Sequence, residues 1–318
     1  MAERRAFALH SLPSAVCSCT VITRMSDEQE QLKERVRAFW QANPCGIKFA
    51  EAELGTRGFF ELVEQHRYAT EWHIPEAADF AGTRNLRVLE IGCGLGTDGA
   101  QFAKAGANYT GVDLTEAAVD LARKRFELFD LAGAFRTADA EKLDFTDESF
   151  DLVYSHGVLH HTPDTKAAVR EVHRVLKKNG RAMVMLYHRN SYNYRVNIRL
   201  LRRGGLRLLR TEAGLRLVHK LTGEPIESLQ EHALKLRNGY MNAEDFLSQN
   251  TDGAGNPLAR VYSRREAREL FSDFSDVKFR VFFLNKRFIP VLGNLLPRSL
   301  EAQLAARWGW HLWIYATK

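Results

Sequence analysis

Five side chains able to move a proton crowd two short stretches of this 318-residue chain: His156, His160 and His161 in SHGVLHH, and Tyr187 and His188 at the end of RAMVMLYH. The apolar runs FDLVYSH (150–156) and RAMVMLYH (181–188) read as buried β-strands. Groups at strand ends can share one pocket mouth. His156, His161, Tyr187 and His188 are therefore candidate general bases for an acceptor that must lose a proton. Taken singly, each histidine also fits a plain hydrogen-bonding role, and it is the set that favours O- or C-directed chemistry. His173, mid-helix, reads as packing.

A base needs a partner reagent, and residues 88–98, VLEIGCGLGTD, indicate one. A β-rich run, glycines at 92, 94 and 96 and a helix start form half of a nucleotide-binding α/β unit. The next strand, ANYTGVD, ends in Asp113, where a carboxylate can accept both hydroxyls of a ribose. Dinucleotide sites space their glycines G-x-G-x-x-G and seat a pyrophosphate on the helix. Here the spacing is G-x-G-x-G, and Glu90 stands where it would repel phosphate but suit an ammonium. S-adenosylmethionine (SAM) carries an ammonium, a sulfonium, a ribose and an adenine, and no phosphate. With Asp113 and the later Asp139, these residues point to SAM rather than to NAD(P).

At these motifs the chain resembles the class I SAM-dependent methyltransferases, within them the type 11 subgroup that includes quinone-biosynthesis methylases. The resemblance is specific over residues 86–188 and looser towards the C-terminus. It implies that Glu90, Gly92, Cys93, Gly94 and Gly96 surround the methionyl part of SAM. Asp98 would hold the helix start or the SAM ammonium. Asp113 would hold the ribose and Leu114 the adenine face, with Asp139, Ala140 and Glu141 of TADAEKLDF along the adenine edge. SHGVLHHTPD (155–164) matches the loop beside the transferable methyl, which assigns Ser155 to the cofactor side and makes His160 a structural or cofactor-side residue. Asn179 in LKKNG replaces the family's usual proline and should leave the turn before Gly180 intact.

Strand–helix alternation from Leu86 predicts a parallel, doubly wound α/β sheet with its ligand over the strand carboxyl ends. The expected architecture is a Rossmann-like seven-stranded sheet with an antiparallel edge, the last two strands being implied by the resemblance. Its parts are a leader (1–25), an N-terminal helical lid (26–80), the SAM-binding core (81–190), an inserted helical cap (191–262) and a C-terminal helix with strands (263–318). In the lid, Ser26–Gln41 and Phe59–Trp72 read as helices. The aromatic face of the second either packs on the sheet or brings Arg67 and Tyr68 over the pocket.

Composition narrows the classes. Hydrophobic content of 45% and charged content of 26% are those of an ordinary globular protein. No apolar run is long enough to span a bilayer. The four cysteines, Cys17, Cys19, Cys45 and Cys93, lack metal-ligand spacing. A reduced, cytoplasmic setting is expected, and no metal. The basic first 24 residues, broken by His10 and Pro13, read as a disordered leader ahead of Met25 rather than a secretory signal.

The insertion holds the charge. Between Arg195 and Lys220 stand eight basic residues (Arg195, Arg199, Arg202, Arg203, Arg207, Arg210, Arg216, Lys220) against Glu212 alone, enough to account for the whole-chain charge of +6. Leucines interleave at helical spacing, and Gly204–Gly205 reads as a hinge. Such a segment suits an anionic membrane surface or lipid-like substrate, or a plain solvated cap. Nucleic acid is the weakest of its readings, since no RNA-binding module accompanies the charge.

The leading expectation is thus a SAM-dependent methyltransferase for a small or lipid-like acceptor. The rivals are RNA or protein methylation, a non-catalytic SAM-binding protein and, weakest, an NAD(P) oxidoreductase.

Overall fold

The computed structural model describes residues 16–202, 208–222, 225–237, 243–253, 255–285 and 296–318. The core alternates as expected: β1 (Arg87–Ile91), β2 (Asn108–Asp113), β3 (Ala134–Thr137), β4 (Phe150–His156) and β5 (Leu176–Tyr187), then β6 (Asp276–Phe282) and β7 (His311–Thr317). They form one seven-stranded sheet in the order β3-β2-β1-β4-β5-β7-β6. The first five strands are parallel; β7 lies antiparallel between β5 and β6. Val88, Leu89, Leu152, Val153, Val184 and Leu186 are all buried, as strands covered on both faces require. Asn179 takes the left-handed conformation, φ 63°, which asparagine tolerates, and the turn before Gly180 is kept.

Helices cover both faces. In order they are α1 (Val16–Ala42), α2 (Arg57–Thr70), α3 (Ile74–Ala78), α4 (Thr97–Lys104), α5 (Glu116–Leu128) and α6 (Thr165–Val175). The insertion and C-terminal part add α7 (Glu212–Thr222), α8 (Ile226–Arg237), α9 (Ala243–Gln249), α10 (Arg264–Leu270) and α11 (Arg298–Trp308). Local chemistry sets several starts. Asp164 accepts the Ala167 N–H at 2.9 Å to cap α6, and Ser263 with Glu266 forms a capping box on α10, as S-x-x-E predicts.

Three expectations change. The first helix begins at Val16, not Ser26, so it takes in the second half of the stretch read as a disordered leader. A further helix, α11, precedes the last strand. Part of the insertion, Asn193–Arg202, winds as a π-helix, which periodicity read as an ordinary helix. Arg203, Gly204, Gly205 and Arg207 lie outside the described residues, as does the hinge assigned there.

Candidate active site

A cavity of about 430 Å³ lies over the carboxyl ends of β1, β2, β4 and β5, where a doubly wound sheet places its ligand. Its floor is the glycine loop. Gly92 has φ 78°, and a Cβ there would sit 2.1 Å from Val158 Cγ2. At Gly94, φ 51°, a Cβ would have nothing within 4 Å, so the backbone there faces open space that a ligand can approach. Gly96 serves otherwise. It is the left-handed cap of α4, and its absent side chain admits Ala122 Cβ and Phe126. It joins α4 to α5 and does not wall the cavity.

Asp113 is positioned by the loop it faces. Its Oδ2 accepts the Gly94 N–H at 3.1 Å, and Oδ1 accepts the Thr115 N–H and hydroxyl at 3.0 and 2.9 Å. Burial raises its pKa against those hydrogen bonds. Glu90 is buried on the cavity wall, its Oε2 accepting the Tyr109 O–H at 2.6 Å. Burial, then the nearby Asp98 carboxylate, pushes the Glu90 carboxyl well above its ordinary range. Cys93, Leu114, Asp139, Ala140 and Glu141 also line the cavity.

Asp98 lines it too, but the carboxylate is already engaged. It accepts Arg67 Nε and Nη2 at 2.9 and 2.5 Å, and the hydroxyls of Tyr68 and Tyr154 at 2.9 Å each. Burial opposes its charge, and the Arg67 guanidinium overrides that and holds the carboxyl low. Asp98 therefore anchors α2 to α4. Tyr68 supports this anchor from behind and does not reach the cavity, whereas Arg67 does.

The proton-moving set divides along strand geometry. Tyr187 and His188 are neighbours on β5, so their side chains leave opposite faces. Tyr187 enters the cavity. His188 lines a separate hollow of about 580 Å³ with Asn190, Arg264 and Arg307, its Nδ1 donating to the Gly309 carbonyl at 3.1 Å. Ser155 and His156 part in the same way. Ser155 is buried and donates to the Ile91 carbonyl at 3.0 Å, stapling β4 to β1, while His156 faces the cavity with Nδ1 3.2 Å from Arg67 Nη2. His160 is fully buried under the Tyr187 ring, centroids 3.8 Å apart, and is packing. His161 does line the cavity, beside Trp40. Thus Tyr68, Gly96, Ser155 and His160 support the site without facing it, and His188 belongs to the other hollow.

Sequence reasoning missed Asp252, brought in by the insertion. Tyr187 donates to Asp252 Oδ1 at 2.6 Å, and His161 Nε2 stands 3.4 Å from Asp252 Oδ2. His161 Nδ1 lies 2.5 Å from the Leu258 carbonyl. A carbonyl only accepts, so Nδ1 carries the proton and Nε2 the lone pair of the neutral ring. Lys33 of α1 was also missed. Its ammonium lies 2.7 Å from Asp139 Oδ2 and 2.8 Å from Glu141 Oε2. No signal in one sequence joins positions so far apart.

Among the described residues, seven carboxyl side chains line the cavity (Glu71, Glu90, Asp98, Asp113, Asp139, Glu141, Asp252) against two cations, Lys33 and Arg67. Glu90 and Asp113, whose carboxyls burial raises, keep their charge best beside a positively charged ligand. The residues present fit SAM: an open glycine floor, an acid beside it at Glu90, and Asp113 held where the second strand ends.

Residues 89–184 match the model of the methyltransferase domain family. The ubiquinone biosynthesis O-methyltransferase of Alkalilimnicola ehrlichii is 33% identical over 36% of this chain and 46% of its own length. That of Pseudomonas aeruginosa is 34% identical over 36% and 50%. An uncharacterized protein of Haemophilus influenzae is 29% identical over 73% of this chain and 94% of its own. The chain spans about half the length of the first two relatives. With the strand order and the glycine floor, these matches place the central domain in the class I SAM-dependent methyltransferases, whose methyl donor is SAM.

Proposed function

We propose that the protein transfers a methyl group to a small or lipid-like acceptor, with His161 as general base and Tyr187 and Asp252 positioning it. The observation that carries this is the Tyr187–Asp252–His161 cluster opening into the same cavity as the glycine floor. SAM, when bound, supplies a methyl group activated by its sulfonium. The chain's own task is then to align an acceptor and remove its proton.

His161 Nε2 offers the lone pair, and Asp252 stabilises the imidazolium that forms. Tyr187 is a poor base, because burial and then the Asp252 carboxylate push its phenol well above the ordinary range. It stays protonated and holds Asp252 in place. Trp310, stacked on Tyr187 with centroids 4.3 Å apart, gives the acceptor an aromatic wall. Relatives named for ubiquinone biosynthesis, a sterol and phthiotriol dimycocerosates support a small or lipid-like acceptor, a quinone-type ring among them.

The insertion favours delivery from a lipid surface. Leu200, Leu208 and Leu217 are exposed there, beside exposed Arg195, Arg199, Arg210, Arg216 and Lys220. Exposed leucines among basic residues suit the interface of an anionic bilayer. No helix among the described residues is long and apolar enough to cross one. The test is incubation of the purified protein with methyl-labelled SAM and fractionated cell extract. Label is expected in the organic-soluble fraction, and label confined to RNA or protein would overturn this acceptor class.

A further inference from the structure

Three histidines from distant parts of the chain meet beside the acceptor end of the cavity. His156 ends β4, His311 begins β7 and His73 caps α3. One ring nitrogen from each can be chosen so that all lie within 4.8 Å of one another. His311 Nδ1 and His73 Nε2 are already 3.2 Å apart. Tetrahedral zinc with imidazole bonds of about 2.0–2.1 Å needs ligand nitrogens roughly 3.3–3.4 Å apart. Phe282 stacks on His73 at 5.1 Å, and Trp313 packs on both His73 and His156, so the rings are held in place.

From this geometry we infer that His73, His156 and His311 form a site for one divalent transition-metal ion, with an open coordination position towards the cavity. Three imidazoles suit zinc, cobalt or nickel rather than magnesium or calcium. One buried atom at the cluster, His156 Nε2, has no hydrogen-bond partner among the described residues, while Glu71 Oε2 is ion-paired with Arg67 Nη1 at 3.5 Å. Glu71 also sets its Oε1 4.0 Å from His311 Nε2, where a carboxylate can orient a ligating ring. Among the described residues the nearby cation is Arg67, 3.2 Å from His156 Nδ1; its Nε and Nη2 are held by Asp98 and its Nη1 lies 3.5 Å from Glu71 Oε2. With Nε2 on the ion the His156 proton sits on Nδ1, so Arg67 releases that nitrogen and keeps Asp98 and Glu71. His156 and His311 line the cavity while His73 lies behind them, which leaves the ion's fourth position facing the acceptor.

The test needs neither SAM nor acceptor, so its failure is separate from failure of the methyltransferase reading. The full chain, stripped with EDTA, is titrated with Co²⁺ and followed by visible d–d absorption, then by Zn²⁺ competition. One equivalent with a tetrahedral nitrogen-rich spectrum is expected. Affinity should fall about tenfold or more in His311→Asn and in His73→Asn, and stay unchanged in His219→Ala on the exposed insertion. Should a variant fail to fold by circular dichroism, thermal stabilisation of the unaltered protein by Zn²⁺ but not Mg²⁺ is the second readout. Absence of the spectrum, or equal binding in the folded variants, would overturn the site.

Discussion

The Lys33 ammonium lies 2.7 Å from the Asp139 carboxylate, so the first helix is fastened by charge to the rim of the nucleotide pocket where β3 ends. Glu141 completes the clasp. Burial works against the charge on Lys33, but bonds to Asp139 and Glu141 outweigh it and raise the pKa. A lysine raised in the fold adds stability that is fully present below its unfolded value, about 10.4, and lost as pH rises through the folded one. Lys33→Met should cost about 1–2 kcal/mol in urea unfolding at neutral pH and speed hydrogen exchange in α1. The gap should close in strong alkali. Equal stability at neutral pH would mean the clasp is idle.

Gly92 tests the floor of the site. Gly92→Ala forces a side chain onto φ 78° and into Val158, with an expected loss of roughly 1–3 kcal/mol and of SAM binding. Val158→Ala alongside should recover the steric part only. If Gly92→Ala alone binds SAM normally, the loop does not approach its ligand.

For the acceptor end, His161→Ala should lower kcat by about 10²–10⁴, the usual worth of a general base. Asp252→Asn and Tyr187→Phe should lower it less, with SAM affinity unchanged in all three. His188→Ala should turn over normally, because that ring faces the other hollow. A fall in the His188 variant matching that in the His161 variant would reverse the assignment.

Much of this was legible in the sequence because it is local. The glycine loop, Glu90 and Asp113 lie within one β-loop-α-β unit, and the backbone fixes their relation. Strand periodicity also located His156 and Tyr187 at one end of the sheet. The same periodicity places His188 there too, and the resemblance of its loop places Ser155. Ser155 and His188 are each one residue from a cavity residue, and the pleat turns them away. Gly96 belongs to the motif, yet it makes a helix contact. Asp252, Lys33 and His311 arrive through long-range packing, which a single chain of letters does not encode locally.

Charge reversal at Arg195, Arg199 and Arg216, all exposed, should release the protein from vesicles containing anionic lipid. Raised salt should do the same to the unaltered protein. Co-sedimentation indifferent to both would remove the membrane from the account.

The most direct test of the central claim is calorimetric titration of the protein and its Asp113→Ala variant with SAM. One site is expected, weakened in the variant by roughly 1.5–3 kcal/mol through loss of a charge-assisted bond. Affinity should also fall with acid, since burial raises the Asp113 carboxyl and protonation removes the acceptor. No heat with SAM, or equal affinity in the variant, would contradict it.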